Sequence, residues 1–302
     1  MRIITDSDIK SLNISPRQCV EWVQEAFKIK DRCKLPPKIS IHPTGSDFIN
    51  TMPCLLPEEY GRFGCKIISR IEGAEPTLKS ELLLLDSKSG EVLAMVNCDW
   101  ITAMRTGAVA TLAIKTFRAI GSSVYAFVGL GVMGRSTLEC LLSVSGDETV
   151  IIRLKRYKDH AEKIIEDFGP RFPSVRFEIA DSMEELVEGA DVIVSCITYT
   201  GELLVENVDL FKPGVLVVPV HTRGFQNCDT VFDKVFADDT GHVKDFKYFN
   251  QFRKFGELSD VIQGRNQGRE TNDERILSYN IGLGLHDVFF ATKIVELLHS
   301  KA

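Results

Sequence analysis

The stretch that most constrains this chain is Ser122 to Arg135, SSVYAFVGLGVMGR. The apolar run Val124 to Val128 reads as a buried parallel strand, and STLECLLSV beyond the glycines reads as an amphipathic helix. Between them Gly129, Gly131 and Gly134 fall at the spacing G-x-G-x-x-G. Gly129 permits a tight turn out of the strand, Gly131 lets the backbone approach a pyrophosphate, and Gly134 lets helix and strand pack closely. Val132 and Met133 sit at the helix N-terminus, whose N–H groups and dipole attract phosphate. The spacing alone is a weak signal. The readable strand before it and helix after it make it a dinucleotide-binding turn rather than a glycine-rich turn of some other α/β fold.

The chain has 302 residues, 44% of them hydrophobic and 26% charged, a soluble globular profile with length for one or two domains. A net charge of −6 argues against a broad nucleic-acid surface. No apolar run approaches the roughly 18–20 residues of a membrane span, so no membrane partner is expected. The start, MRIITDSDIKSLN, carries charges where a signal peptide needs an apolar core. The cysteines (19, 33, 54, 65, 98, 140, 196 and 228) are scattered without a C-x-x-C pair. Neither a metal ligand set nor a disulfide framework is legible, which points to a reduced, cytoplasmic setting.

Along the chain, Ser15-Pro16 marks the start of a helix carrying Val20, Val23 and Phe27. Residues 35–57 read as extended and proline-punctuated, 61–71 as a strand, and 80–98 as a hairpin turning at Ser-Gly. Asp99 to Phe117 reads as a helix rich in small residues. From Ser122 strands at 124–128, 149–154, 175–179, 191–196, 214–220 and 234–237 alternate with helices at 133–144, 158–168, 182–187 and around 207–211. That alternation predicts a doubly wound parallel sheet. Residues 250–302 read as a return to helix. The expected architecture is α/β: a Rossmann domain over 118–249, plus a discontinuous α+β unit from 1–117 and 250–302.

A chain preferring NAD usually places an acid about 20 residues past the glycines, on the ribose 2′-hydroxyl. Here the second strand ends IIRLKRYKDHAE, and Arg153, Lys155 and Arg156 stand in that region. Cations there suit a 2′-phosphate and favour NADP(H) over NAD(H), the alternative being a solvated basic strand end.

With these residues in hand, the chain resembles the ornithine cyclodeaminase/mu-crystallin family nearly end to end. The segments that carry the likeness are LPPKISIHP, GCKIISRI, LLLLDSKSGEVLAMVNCDWITAMRTGAVATLA, VGLGVMG, GADVIVSCIT, LFKPGVLVV, FGELSDVIQG and NIGLGLHDVFFA. The resemblance implies a front domain built from both chain ends that forms a homodimer, an NAD(P) domain between them, and a small amino-acid or imino-acid substrate in the cleft. It also implies a shared chemical step, hydride transfer between nicotinamide and the carbon bearing nitrogen. By the same likeness Arg105 of A-M-R-T-G holds the substrate carboxylate, and Lys66 of G-C-K contacts the carboxylate or the reacting nitrogen. Thr106 lies near the cofactor, and Cys196, Ile197 and Thr198 line its cleft.

The departures from the family narrow the activity. Lys38 stands where many members carry arginine, keeping the charge and losing the fork. Where cyclodeaminases have a catalytic aspartate after the LFKPG strand, this chain reads VVPVHTRGFQNCD, which puts His221 at that position, after Val220. An imidazole with an ordinary pKa near 6.5 passes protons at neutral pH, or else only hydrogen-bonds its loop. Glu81 either faces the cleft and pairs with Lys66 or starts a strand in solvent. Arg223 is positioned to meet a second acidic group on a substrate. The expected function is an NAD(P)H-dependent oxidoreductase on a C–N bond, an amino-acid dehydrogenase or ketimine reductase. The alternatives are an ornithine cyclodeaminase with bound NAD and a non-catalytic, crystallin-like nucleotide binder.

Overall fold

The computed structural model describes residues 1–146, 150–198 and 200–301. In chain order its elements begin β1 (Arg2–Ile4), α1 (Asp6–Ser11), α2 (Pro16–Ile29), β2 (Ile39–Ile41), β3 (Phe48–Leu55), β4 (Arg62–Arg70), β5 (Leu78–Asp86), β6 (Val92–Asn97) and α3 (Asp99–Phe117). They continue β7 (Val124–Val128), α4 (Val132–Val144), β8 (Ile151–Lys155), α5 (His160–Phe168), β9 (Arg176–Ala180), α6 (Met183–Val187), β10 (Val192–Ser195), β11 (Leu216–Pro219) and β12 (Lys234–Ala237). The last are α7 (Thr240–Val243), β13 (Phe255–Glu257), α8 (Leu258–Ile262), β14 (Ile276–Tyr279) and α9 (Gly284–Ser300). Two units result, one from Met1–Arg105 with Gly282–Ala302, the other from Thr106–Ile281.

The first unit is a six-stranded sheet in the order β1-β6-β5-β4-β3-β2, antiparallel except where β1 lies parallel to β6. The α2 helix starts where the sequence predicts, with Ser15 accepting from the Gln18 amide at 3.1 Å. One sheet face buries Met52, Cys54, Ile68, Leu82 and Leu84, and α9 packs on β3, β4 and β5. Two glycines allow the close approach. A Cβ at Gly64 would stand 2.7 Å from Val288 Cγ2, and one at Gly284 would stand 2.8 Å from the Met52 carbonyl oxygen. Strand alternation points Lys66 to this covered face and Ile67 to the other. The other face is apolar and exposed: Ile3 pairs with Met95 and Met95 with Leu83, while Ile67 and Ile39 flank Thr51.

The second unit is an eight-stranded parallel sheet in the order β13-β12-β14-β11-β10-β7-β8-β9. From β7 the chain builds outward through β8 and β9, then crosses back to β10 on the other side of β7. That reversal puts a topological switch point at the carboxyl ends of β7 and β10, beside the glycine turn. The strands expected at 124–128 and 234–237 fall there, and the one expected over 149–154 runs Ile151–Lys155, with Thr149 outside the described residues. The helix expected around 207–211 is a single 3₁₀ turn, Val208–Leu210.

Residues 250–281 correct the reading. They are not simply helical: β13 forms one edge of the parallel sheet and β14 inserts between β12 and β11. The boundaries expected at 117/118 and 249/250 therefore fall at 105/106 and 281/282. The reason is physical. β14 is four residues, ILSY, buried on both sides, so it offers neither alternation nor length as a signal. Among the described residues no helix is long and apolar enough to cross a membrane.

Candidate active site

The first unit buries two cations on one carboxylate. Lys66 Nζ donates to Asp287 Oδ1 at 2.8 Å, and Arg105 Nε donates to the same oxygen at 3.0 Å. Lys66 and Asp287 are fully buried and Arg105 is 6% exposed. They come from β4, α3 and the first turn of α9, far apart in sequence. Burial pulls the Lys66 ammonium down from its ordinary pKa and Arg105 adds to the effect, while Asp287 and the Cys98 thiol oppose it. The other carboxylate oxygen, Asp287 Oδ2, is buried without a hydrogen bond among the described residues. Gly282 completes the arrangement: its φ is +98°, and a Cβ there would lie 2.5 Å from Arg105 Nη1.

Lys66 also donates to Thr102 Oγ1 at 3.4 Å, and Thr102 Oγ1 lies 3.0 Å from Ser80 Oγ. Ser80 donates to Asp99 Oδ1 through its hydroxyl at 3.0 Å and its backbone amide at 2.7 Å. Glu81 does not join Lys66. It pairs in register with Ile67 and Asn97, on the opposite sheet face, and accepts from Asn97 Nδ2 at 3.3 Å. Burial still raises its carboxyl pKa, with the Asn97 bond acting against it. Lys38 is half-buried just before β2.

In the second unit the glycine turn has the form its spacing implies. Gly129 takes φ +83°, and a Cβ there would run into the backbone of Cys196 and Ile197 at the end of β10. A Cβ at Gly134 would collide with the Gly129 carbonyl oxygen. Gly131 differs: nothing stands within 4 Å of where its Cβ would be. As N-cap of α4 it offers no side-chain cap to the leading amides of this 13-residue helix. A backbone cradle with room for a ligand and uncapped donors fits a dinucleotide pyrophosphate. Met133 is half-buried and Val132 is 67% exposed at the same helix start. Thr106 is nearly buried, Val220 is half-buried and Thr198 is exposed. Cys196 is half-buried; burial pushes its thiol up to about 12, opposed by its contact with Thr137.

His221 sits just past β11, with its Nε2 2.6 Å from Ser195 Oγ at the end of β10. Burial holds the imidazole down to about 4, and a backbone hydrogen bond with Arg223 only partly offsets this. His221 is therefore neutral at pH 7. Of the two readings left open by the sequence, the Ser195 contact is the one present here. Arg223 itself is exposed.

The three cations, Arg153 and Lys155 in β8 and Arg156 just past it, are held by protein partners. Arg153 pairs with Glu178 at 3.3 Å and donates to the carbonyls of Glu185, Leu186 and Glu188 at the end of α6. That commitment takes Arg153 out of the candidate 2′-phosphate set. Lys155 donates to the Asp181 carbonyl at 2.9 Å, and Arg156 pairs with Asp181 at 2.5 Å and with Glu162. Sequence reasoning missed Asp287, though a lone acid inside NIGLGLHDVFFA is a visible anomaly. It missed Ser195 as well, and a serine ending an apolar strand carries no comparable signal.

The sequence pattern of the ornithine cyclodeaminase/mu-crystallin family matches residues 2–302. Nodulation efficiency protein NfeD of Rhizobium meliloti is 27% identical, over 87% of this chain and 83% of its own. Alanine dehydrogenase of Archaeoglobus fulgidus is 26% identical, over 99% and 95% respectively. The solved Δ1-pyrroline-2-carboxylate reductase of Thermococcus litoralis, in complex with NADH and L-proline, superposes with a TM-score of 0.87 at 23% identity, covering 100% of this chain and 98% of that one.

Proposed function

The chain belongs to the ornithine cyclodeaminase/mu-crystallin family, and within it we propose an NAD(P)H-dependent oxidoreductase acting on the C–N bond of an amino acid or cyclic imino acid. The observation that carries the reading is the buried Lys66–Asp287–Arg105 cluster, two cations on one anion, which is one negative charge short of neutrality. A substrate carboxylate supplies that charge. Arg105 meets Asp287 through Nε, and its paired Nη atoms form a planar edge suited to a carboxylate. The fully buried Lys66 is the group assigned to the reacting nitrogen: it donates a proton as an imine becomes an amine and takes one in the reverse direction. Fixing the carboxylate fixes the adjacent carbon, and positioning of this kind is worth on the order of 7–11 kcal/mol in the best intramolecular cases.

Gly129, Gly131 and Gly134 with the first amides of α4 are assigned to the dinucleotide, which supplies the hydride when bound. His221, neutral and anchored on Ser195, is assigned as a hydrogen-bond partner on the β11 side. Support for NADP over NAD rests on Lys155 and Arg156, which would have to exchange Asp181 and Glu162 for a 2′-phosphate. A second copy of the chain is assigned to the exposed apolar sheet face of Ile3, Met95, Leu83, Ile67 and Ile39.

The test is consumption of NADPH or NADH on a panel of cyclic imino acids and 2-keto acids with ammonia. Turnover that requires the substrate carboxylate supports the proposal. Ammonia released from ornithine without net cofactor consumption would replace it with a cyclodeaminase, and no turnover or cofactor binding would leave a non-catalytic protein.

A further inference from the structure

Lys66 is sealed from solvent, with no exposed surface, yet each reductive cycle assigned to it costs it a proton. The two charged groups nearest to it cannot restore that proton directly. A guanidinium is a hydrogen-bond donor and not a proton source, and Asp287 is itself fully buried. The third contact leads elsewhere. Lys66 Nζ, Thr102 Oγ1, Ser80 Oγ and Asp99 Oδ1 follow one another at 3.4, 3.0 and 3.0 Å. The first three are buried, with Ser80 and Thr102 each 3% exposed, whereas Asp99 at the start of α3 is half-buried and reaches solvent. The hydroxyls are also held in place. The Ser80 backbone amide anchors the Asp99 carboxylate at 2.7 Å, the Cys98 amide bonds the Ser80 carbonyl at 2.8 Å, and the Thr102 amide bonds the Cys98 carbonyl at 2.7 Å. A hydroxyl both donates and accepts, so two in series can pass a proton where an apolar side chain cannot.

We propose that Thr102 and Ser80 form a proton path connecting Lys66 to solvent at Asp99. The proposal rests on the role assigned to Lys66 under the proposed function. The balance closes as follows. The imine carbon takes the hydride and its nitrogen takes a proton from the Lys66 ammonium. Lys66 then takes the Thr102 hydroxyl proton, Thr102 takes that of Ser80, and Ser80 takes one hydronium proton relayed from solvent through the Asp99 carboxylate, which ends as it began. The sum is one C=N bond, one NAD(P)H and one solvent proton giving one CH–NH and one NAD(P)⁺. Oxidation runs the path backwards. Thr102 touches Lys66, and Ser80 touches Thr102; they are positioning residues, and the reaction is felt through Lys66.

Two measurements test this, the first independent of any substrate. In protein labelled with ¹⁵N-lysine, exchange of the Lys66 Nζ protons with water should slow by about tenfold or more in Thr102→Val, which keeps the shape and removes the hydroxyl. Thr102→Ser should restore it, and Ser80→Ala should slow it as Thr102→Val does. In turnover, Thr102→Val should lower kcat by roughly 10- to 100-fold, within the range of general acid–base contributions, with KM nearly unchanged and a larger solvent isotope effect. Unchanged exchange at Lys66 in both variants overturns the path. Slowed exchange in a protein that reduces no imine keeps the path and overturns the proposed reaction. A variant that loses exchange, kcat and thermal stability together, with Thr102→Ser failing to rescue, assigns the hydroxyls to packing and overturns the proposal.

Discussion

Replacing Asp287 with asparagine preserves its shape and removes the one negative charge that Lys66 and Arg105 share. Both cations bond the same oxygen, at 2.8 and 3.0 Å, so their charges lie about 5 Å apart once it is neutral. At an effective dielectric near 20 that repulsion is roughly 3 kcal/mol. Breaking a buried ion pair by removing one partner costs about 3–5 kcal/mol, which agrees in size. At roughly 1.6 °C per kcal/mol for a chain of 302 residues, the thermal midpoint should fall by about 5–8 °C at pH 7. The loss should also depend on pH in a definite direction. Lys66 is already below its ordinary pKa through burial and Arg105, and Asp287 is one of the groups holding it up. Without Asp287 it falls further. Between that lowered value and 10.5 the unfolded chain binds the proton that the folded chain does not, so stability rises with pH across the window. The deficit of Asp287→Asn against the native protein should therefore shrink as pH rises from the variant's Lys66 pKa to the native protein's higher one, both below 10.5, and be level above it. Midpoints measured by calorimetry at several pH values decide the matter. A midpoint within 1 °C of native, or a deficit constant from pH 6 to 10, would refute the account of Lys66 and Arg105 as two charges dependent on Asp287.

Three further outcomes follow from the same geometry. Gly131→Ala should fold normally but bind NAD(P)H at least tenfold more weakly, because its Cβ meets open space where the pyrophosphate is assigned, whereas Gly134→Ala should lower stability itself through collision with the Gly129 carbonyl; titration and melting separate the two. Arg105→Lys should raise KM for a carboxylate substrate by about 10-fold or more with a smaller effect on kcat, since an ammonium keeps the charge and loses the planar edge, and steady-state kinetics checks this. His221, held near 4 against an ordinary 6.5, should cost the native protein up to about 3 kcal/mol as pH falls from 6.5 to 4, because only the unfolded chain takes up the proton in that window. His221→Asn should flatten that acid slope when melts of the two proteins are compared; Asp229, raised to about 6 by burial, contributes an opposite slope to both and cancels in the comparison.

The glycine turn, the β–α alternation after it and α2 were legible because each is local. A φ of +83° at Gly129 and the packing limit at Gly134 leave marks within six residues of chain. Lys66 and Arg105 could be picked out as charges set in apolar surroundings, but their common partner could not. Asp287 lies 182 residues from Arg105, and only the packing of α9 onto β4 brings them to one oxygen. The side of the sheet was also a tertiary decision. Glu81 and Lys66 lie one residue out of register across β4 and β5, so the pleat sends them to opposite faces. Fold strength at β14 came from neighbours on both edges rather than from its own four residues, which hid the strand and moved a domain boundary by 32 residues. Protonation was equally out of reach of sequence. His221 and Lys66 are ordinary residue types whose charge states depend on how much water the folded chain leaves around them. Local backbone geometry is written into neighbouring residues, while desolvation and long-range pairing exist only once the chain has closed upon itself.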